Sequence, residues 1–105
     1  AGMPSLQQEF QVGMRNVYEV AVQRGYHATH FKEMLDRYGG VPAARRLLAG
    51  ANAHSDLVML YKLGLLAYSA EALVIQPRFA PLFSEAELQE ARRRLDELGY
   101  FKGRR

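Results

Sequence analysis

The 105-residue chain contains no cysteine. That excludes a disulfide framework, and it favours a reducing compartment, because a secreted chain of this size often leans on disulfides. No apolar run approaches the roughly 18 to 20 residues needed to cross a bilayer, and no charged segment followed by an apolar one opens the chain. A cytoplasmic location without membrane contact is therefore expected. Strand-like alternation, internal repeats and low-complexity segments are also missing. The charge excess is slight: 14 Lys and Arg stand against 11 Asp and Glu, for a formal +3. Lys102, Arg104 and Arg105 account for it.

What is present reads as one globular domain. An apolar fraction of 49% and a charged fraction of 24% are ordinary for folded proteins. A chain this long buries roughly two thirds of its unfolded surface, enough for a core without staples. Ala1 and Gly2, ahead of Met3, read as a cloning remnant. The expected layout is a single helical domain over residues 3–105 with a short basic tail from about residue 102.

The clearest segment is SEAELQEARRRLDELG, residues 84–99. Ser84 and Glu87 form a capping box, Leu88, Ala91, Leu95 and Leu98 make one apolar stripe, and Gly99 supplies a left-handed stop. Similar punctuation runs through the chain. Ser5 caps a helix carrying Leu6, Phe10, Met14, Val17 and Ala21 at spacings of three and four, stopped by Gly25. Thr29 is the expected cap of a second helix with Phe31, Met34, Leu35 and Tyr38 on one face, ended by Gly39-Gly40. Pro42 suits the first position of a short third helix of about two turns, with Val41, Ala44, Leu47 and Leu48 inward, before Gly50. After a loop over residues 51–54, Ser55 is the expected cap of a fourth helix with Leu57, Leu60 and Tyr61 inward and Gly64 as its stop. Ser69 caps a fifth, whose Leu73, Val74 and Ile75 mark it as the most buried. Pro77 ends it, and Phe79, Leu82 and Phe83 anchor the turn before Ser84. These short helices and links predict an all-α fold, a compact orthogonal bundle of about six helices.

Residues 26–100 resemble an uncharacterised helical module of bacterial proteins, found alone or as the tail of longer chains, some of them similar to nucleases or other DNA-processing proteins. The residues that carry the resemblance are GYHATHFKEML (25–35), GGVPAARRLL (39–48), LGLLAYSAEALVIQPRFAPLF (63–83) and SEAELQEARRRLDELGY (84–100). Almost all of the matching positions are caps, stops or core residues, so the resemblance implies a fold and an accessory role, and no reaction. The chain departs from the pattern at Tyr61-Lys62-Leu63-Gly64, where a basic residue replaces an expected acidic one.

Chemistry-bearing patterns are sparse. His27 and His30 lie three apart in a loop and cap, with no cysteine or carboxylate pair to complete a metal site, and His54 is unrelated to them by spacing. His54-Ser55-Asp56 holds the residue types of a hydrolase triad, but adjacent residues cannot aim at one another as a triad must. Ser55 as a cap with Asp56 at the positive helix end explains the same letters. Gly39-Gly40 lacks the spacing and the lysine of a phosphate loop. Glu71, at the second position of the most apolar helix, reads as a structural acid. No cofactor, metal or small-molecule substrate is expected.

Charge patterning directs attention to partners. Each arginine of Arg92-Arg93-Arg94 has an acid four residues away, in Asp96, Glu97 and Glu90, so the run reads as a solvated face. Arg45 and Arg46 have no such partner within their helix. With Lys102, Arg104 and Arg105 they are the candidate nucleic-acid residues, provided the fold brings the third helix near the C-terminus. A helix-turn-helix formed by the third and fourth helices would offer only Asp56, Met59 and Lys62 for base edges, a poor set. The expected function is a non-enzymatic interaction module accessory to bacterial DNA-processing or defence systems, with weak, sequence-independent backbone binding. The alternative is a protein-docking or homodimerising domain with no nucleic-acid role, using apolar residues such as Met59, Val22 or Phe101.

Overall fold

The computed structural model describes residues 2–50 and 54–102. It is all-helical: 72% of the described residues are in helix, counting six α-helices and two 3₁₀ turns, and none is in a strand. In chain order these are α1 (Leu6–Gln23), α2 (Thr29–Tyr38), α3 (Gly40–Ala49), α4 (His54–Lys62), α5 (Ala70–Val74) and α6 (Glu85–Glu97). Short 3₁₀ turns at Leu66–Tyr68 and Ala80–Leu82 link α4 to α5 and α5 to α6. No helix among the described residues is long and apolar enough to cross a membrane.

The two longest helices begin alike. Ser5 and Ser84 each accept a hydrogen bond from the backbone N–H three residues on, while Gln8 and Glu87 reach back to the cap N–H. Two orphan donors are thereby satisfied at each start. Ser69 caps α5 by accepting from Ala72 N–H. Gly25, Gly64 and Gly99 follow α1, α4 and α6 with φ of 87°, 73° and 77°, the left-handed conformation that costs glycine least.

Three boundaries and one inward assignment differ from expectation. Thr29 is the first residue of α2 and not its cap; its hydroxyl donates to the His27 carbonyl, and buried Ala28 occupies the cap position. Pro42 is the third residue of α3, which starts at Gly40 and runs ten residues. The missing N–H still falls among the donors that a first turn leaves unused. Ser55 is the second residue of α4, which starts at His54; most of the loop expected before it lies outside the described residues. Tyr61 is not inward, since it is 49% exposed while Leu57 and Leu60 are buried.

The core is centred on Phe10, whose ring meets Phe79 and Phe83 edge-on at centroid distances of 5.3 and 5.2 Å. Such pairs add about 0.5 to 1.5 kcal/mol beyond area burial. Met14 and Val17 of α1, Phe31 and Leu35 of α2, Ala43, Ala44, Leu47 and Leu48 of α3, and Leu88 and Ala91 of α6 complete it. Four of the five α5 residues are buried, so α5 is the central strut. α1 crosses α3 at very close range: a Cβ added to Gly40 would stand 2.7 Å from the Gln11 Cα.

Candidate nucleic-acid interface

The arginine run on α6 divides by burial. Arg93 projects outward and is held by Glu90, at 2.7 Å, and by Glu97. Arg94 is 4% exposed, which corrects the expectation that the run is a solvated face. Its guanidinium donates to the carbonyls of Leu47 at 3.0 Å, Leu48 at 2.9 Å and Gly50 at 3.2 Å, and pairs with Glu71 at 3.3 Å and Glu90 at 2.6 Å. These are carbonyls at or just beyond the end of α3. Gly50 caps that helix in an extended conformation, with φ −102°, and Arg94 supplies donors to the carbonyls there. Glu71 is 5% exposed, and its pairing with Arg94 agrees with its reading as a structural acid. Arg93 first, then Arg94, holds the Glu90 carboxyl down at about 2. No Arg92–Asp96 ion pair forms among the described residues.

The cations of α2 and α3 are disposed differently. Arg45 donates to the Leu82 carbonyl at 2.9 Å and stands 3.6 Å from the Glu87 carboxylate at the start of α6. It is exposed, but an acid from another helix answers part of its charge. Arg46 lies over the Tyr38 ring, its guanidinium carbon 3.9 Å from the centroid, and Arg37 approaches the same ring at 5.5 Å. Neither has a carboxylate within ion-pair distance among the described residues. The carboxylates nearest in sequence are Asp36, paired with Lys32, and Glu33, which shares a shallow depression with His30, Met34, Arg37 and Tyr38.

The remaining candidates do not join this cluster. Lys102 is exposed and lies past the C-terminal end of α6, whereas Arg45 meets that helix at its start. From Glu87 to Glu97 alone the helix rises about 15 Å. The structure thus lays α3 along α6, with its C-terminal end at Arg94 but Arg45 at the start of α6, away from Lys102. Arg104 and Arg105 lie outside the described residues. Sequence reading missed Arg37 and Tyr38, because nothing in spacing announces that the turn at Gly39 folds Arg46 back onto Tyr38.

Other chemistry-bearing residues sit apart. His27 and His30 are both exposed, and no group of three His, Cys, Asp or Glu suited to a metal ion occurs among the described residues. Asp56, in the first turn of α4, accepts a hydrogen bond from the Tyr26 hydroxyl. Burial first, then Asp56, pushes Tyr26 up to about 12. Behind this pair is a cavity of about 20 Å³ with mainly apolar walls from Val17, Ala21, Phe31, Leu57 and Leu60, the space of about one water. The apolar residues expected to dock a protein, Met59, Val22 and Phe101, are half-buried; the exposed large ones are Met3, Val12, Tyr61 and Tyr68.

The chain matches no protein-family model, no curated protein and no solved structure.

Proposed function

We propose that the protein is a non-enzymatic interaction module that holds nucleic acid by its phosphate backbone without reading sequence, as an accessory to DNA-processing or defence systems. The observation that carries this reading is the meeting of Arg37 and Arg46 on one ring with no carboxylate partner for either. Two like charges gathered at a ring repel each other, and an anion between or beside them relieves that repulsion. A guanidinium resting on an aromatic face keeps N–H donors for phosphate oxygens. Arg45, next in the chain, is exposed as well, with Glu87 answering part of its charge.

Support for a module without catalysis comes from the carboxylates nearest the interior, since Glu71 is engaged by Arg94 and Asp56 by Tyr26. Support for sequence-independent binding comes from α4, where of the three residues expected to face base edges Asp56 is occupied and Met59 half-buried, which leaves Lys62. The setting in DNA-processing or defence rests on the resemblance carried by residues 26–100.

The test is a titration of labelled mixed-sequence DNA at about 50 and 200 mM salt, where phosphate contacts respond steeply. The double variant Arg37→Ala/Arg46→Ala is expected to weaken binding about tenfold at the lower salt and to flatten the salt dependence by one to two contacts' worth, roughly 0.9 per contact in the log–log slope. Arg93→Ala is expected to stay within about twofold. Absence of wild-type binding at 50 mM, or a double variant that binds like wild type, sinks the reading in favour of a protein-docking module.

A further inference from the structure

We infer that the groove where α4 and α6 end is a base-stacking site, so that the nucleic acid this protein prefers is single-stranded; this rests on the backbone-binding reading above. The groove measures about 330 Å³ and is lined by Tyr61, Leu66, Leu98, Tyr100 and Lys102, with Gly64 and Gly99 in its floor. That size is at the low end of ligand pockets. Both glycines are the left-handed stops of their helices, and above Gly64 nothing lies within 4 Å of where a Cβ would be. Above Gly99 the nearest atom is the Lys102 Cδ at 3.8 Å, so the two helix terminations leave a recess open over Gly64 and edged by the Lys102 stem.

The walls supply aromatic faces. Among the described residues the two exposed large aromatic side chains, Tyr61 and Tyr68, both belong to this end of the molecule, each 49% exposed. Tyr68 closes the turn whose Leu66 and Ala67 line the groove. Tyr100 is backed by Phe101 in an edge-on pair at 5.1 Å, which stiffens that wall. An unpaired base presents a π-face to such rings whatever its identity, whereas a paired base in a duplex does not.

The surrounding charge suits a polyanion. Lys102 lines the groove, Lys62 is exposed at the end of α4, and Arg24 reaches the same end by donating to the Leu63 carbonyl at 3.0 Å. Of the nearest acids, Glu97 is held by Arg93 and Asp96 is exposed on the last turn of α6. Single-stranded nucleic acid uses both the cations and the rings. An acidic peptide uses the cations and leaves the tyrosine faces idle.

The experiment is an anisotropy titration at about 50 mM salt with a labelled mixed-sequence DNA single strand and the duplex of the same length. Wild type, Tyr61→Ala, Tyr61→Phe and Arg37→Ala/Arg46→Ala are compared, with circular dichroism confirming equal folding. Because Tyr61 is half exposed, its substitution leaves the core intact. Tyr61→Ala is expected to weaken single-strand binding about tenfold and leave the duplex unchanged, with Tyr61→Phe like wild type. A Tyr61→Ala variant that binds the single strand like wild type overturns the groove proposal, while the backbone reading stands as long as the arginine double variant is weakened. Failure of wild type to bind either DNA overturns both. A poly-glutamate chain that displaces the single strand at equal charge, and does so less well from Tyr61→Ala, makes an acidic protein the occupant and overturns the proposal too.

Discussion

Two arginine clusters carry much of this protein's positive charge, and they put it to opposite uses. On α6, the run Arg92-Arg93-Arg94 sits among acids: Arg93 is held by Glu90 and Glu97, and Arg94 is turned inward to hold the end of α3 and Glu71. Around Tyr38, Arg37 and Arg46 meet a ring and no carboxylate. The cluster more conspicuous in sequence is consumed by the fold, and the sparser one is left to the surroundings. Arginine density along a chain is therefore a poor guide to surface potential; what counts is which guanidiniums the tertiary structure leaves unpaired.

The comparison breaks most visibly if Arg94 is removed. Arg94→Ala leaves Glu71 buried without this partner and takes donors from the Leu47, Leu48 and Gly50 carbonyls, so a loss of about 3 to 5 kcal/mol is expected in urea unfolding. A loss under about 1 kcal/mol means that Arg94 is an ordinary surface arginine. The double variant Glu71→Leu/Arg94→Met removes both charges and is expected to recover only part of the loss, because the carbonyls still lack their donors.

A smaller effect is expected in acid. Glu90 is held down at about 2 by Arg93 first and Arg94 second. A carboxyl lowered by folding stabilises fully above its ordinary value of 4.5, and that stability drains away as pH falls through about 2. Glu90→Gln should flatten the Tm profile across that window. A profile as steep as the wild type's places the acid sensitivity elsewhere.

The smallest effect belongs to Arg93→Ala. Its ion pairs are exposed and screened, so Tm should move by about 2 °C or less, and by less again in 1 M salt. A shift as large as that of Arg94→Ala erases the distinction between the two neighbours.

Much of the fold was legible from local signals. The capping boxes at Ser84 and the cap at Ser5, the glycine stops at Gly25, Gly64 and Gly99, and the stripe of Leu88, Ala91 and Leu95 all concern groups within about one turn of each other. The Gly39-Gly40 pair shows where such reading ends. Gly39 does what a helix stop does, with φ 85°. Gly40 is already helical and serves a different need, the close approach of the α1 backbone at Gln11, which no local pattern reveals. The candidate site was legible only in part: Arg46 stood out in sequence, but its ring partner and Arg37 did not.

What the sequence by itself determined is the set of helices, because caps, stops and apolar periodicity act over three or four residues and are written in consecutive letters. What only the tertiary structure decided is the fate of the charges. Arg93 and Arg94 share the local acid Glu90, yet one faces water and the other faces the end of α3, since a one-residue step rotates a side chain by about 100° around the helix. Whether that direction meets solvent, a carbonyl or a carboxylate depends on which helix is packed there. The same holds for Arg46 over Tyr38, where the turn at Gly39 folds one helix onto the next, and for the groove between α4 and α6, which exists because elements distant in sequence come to lie side by side.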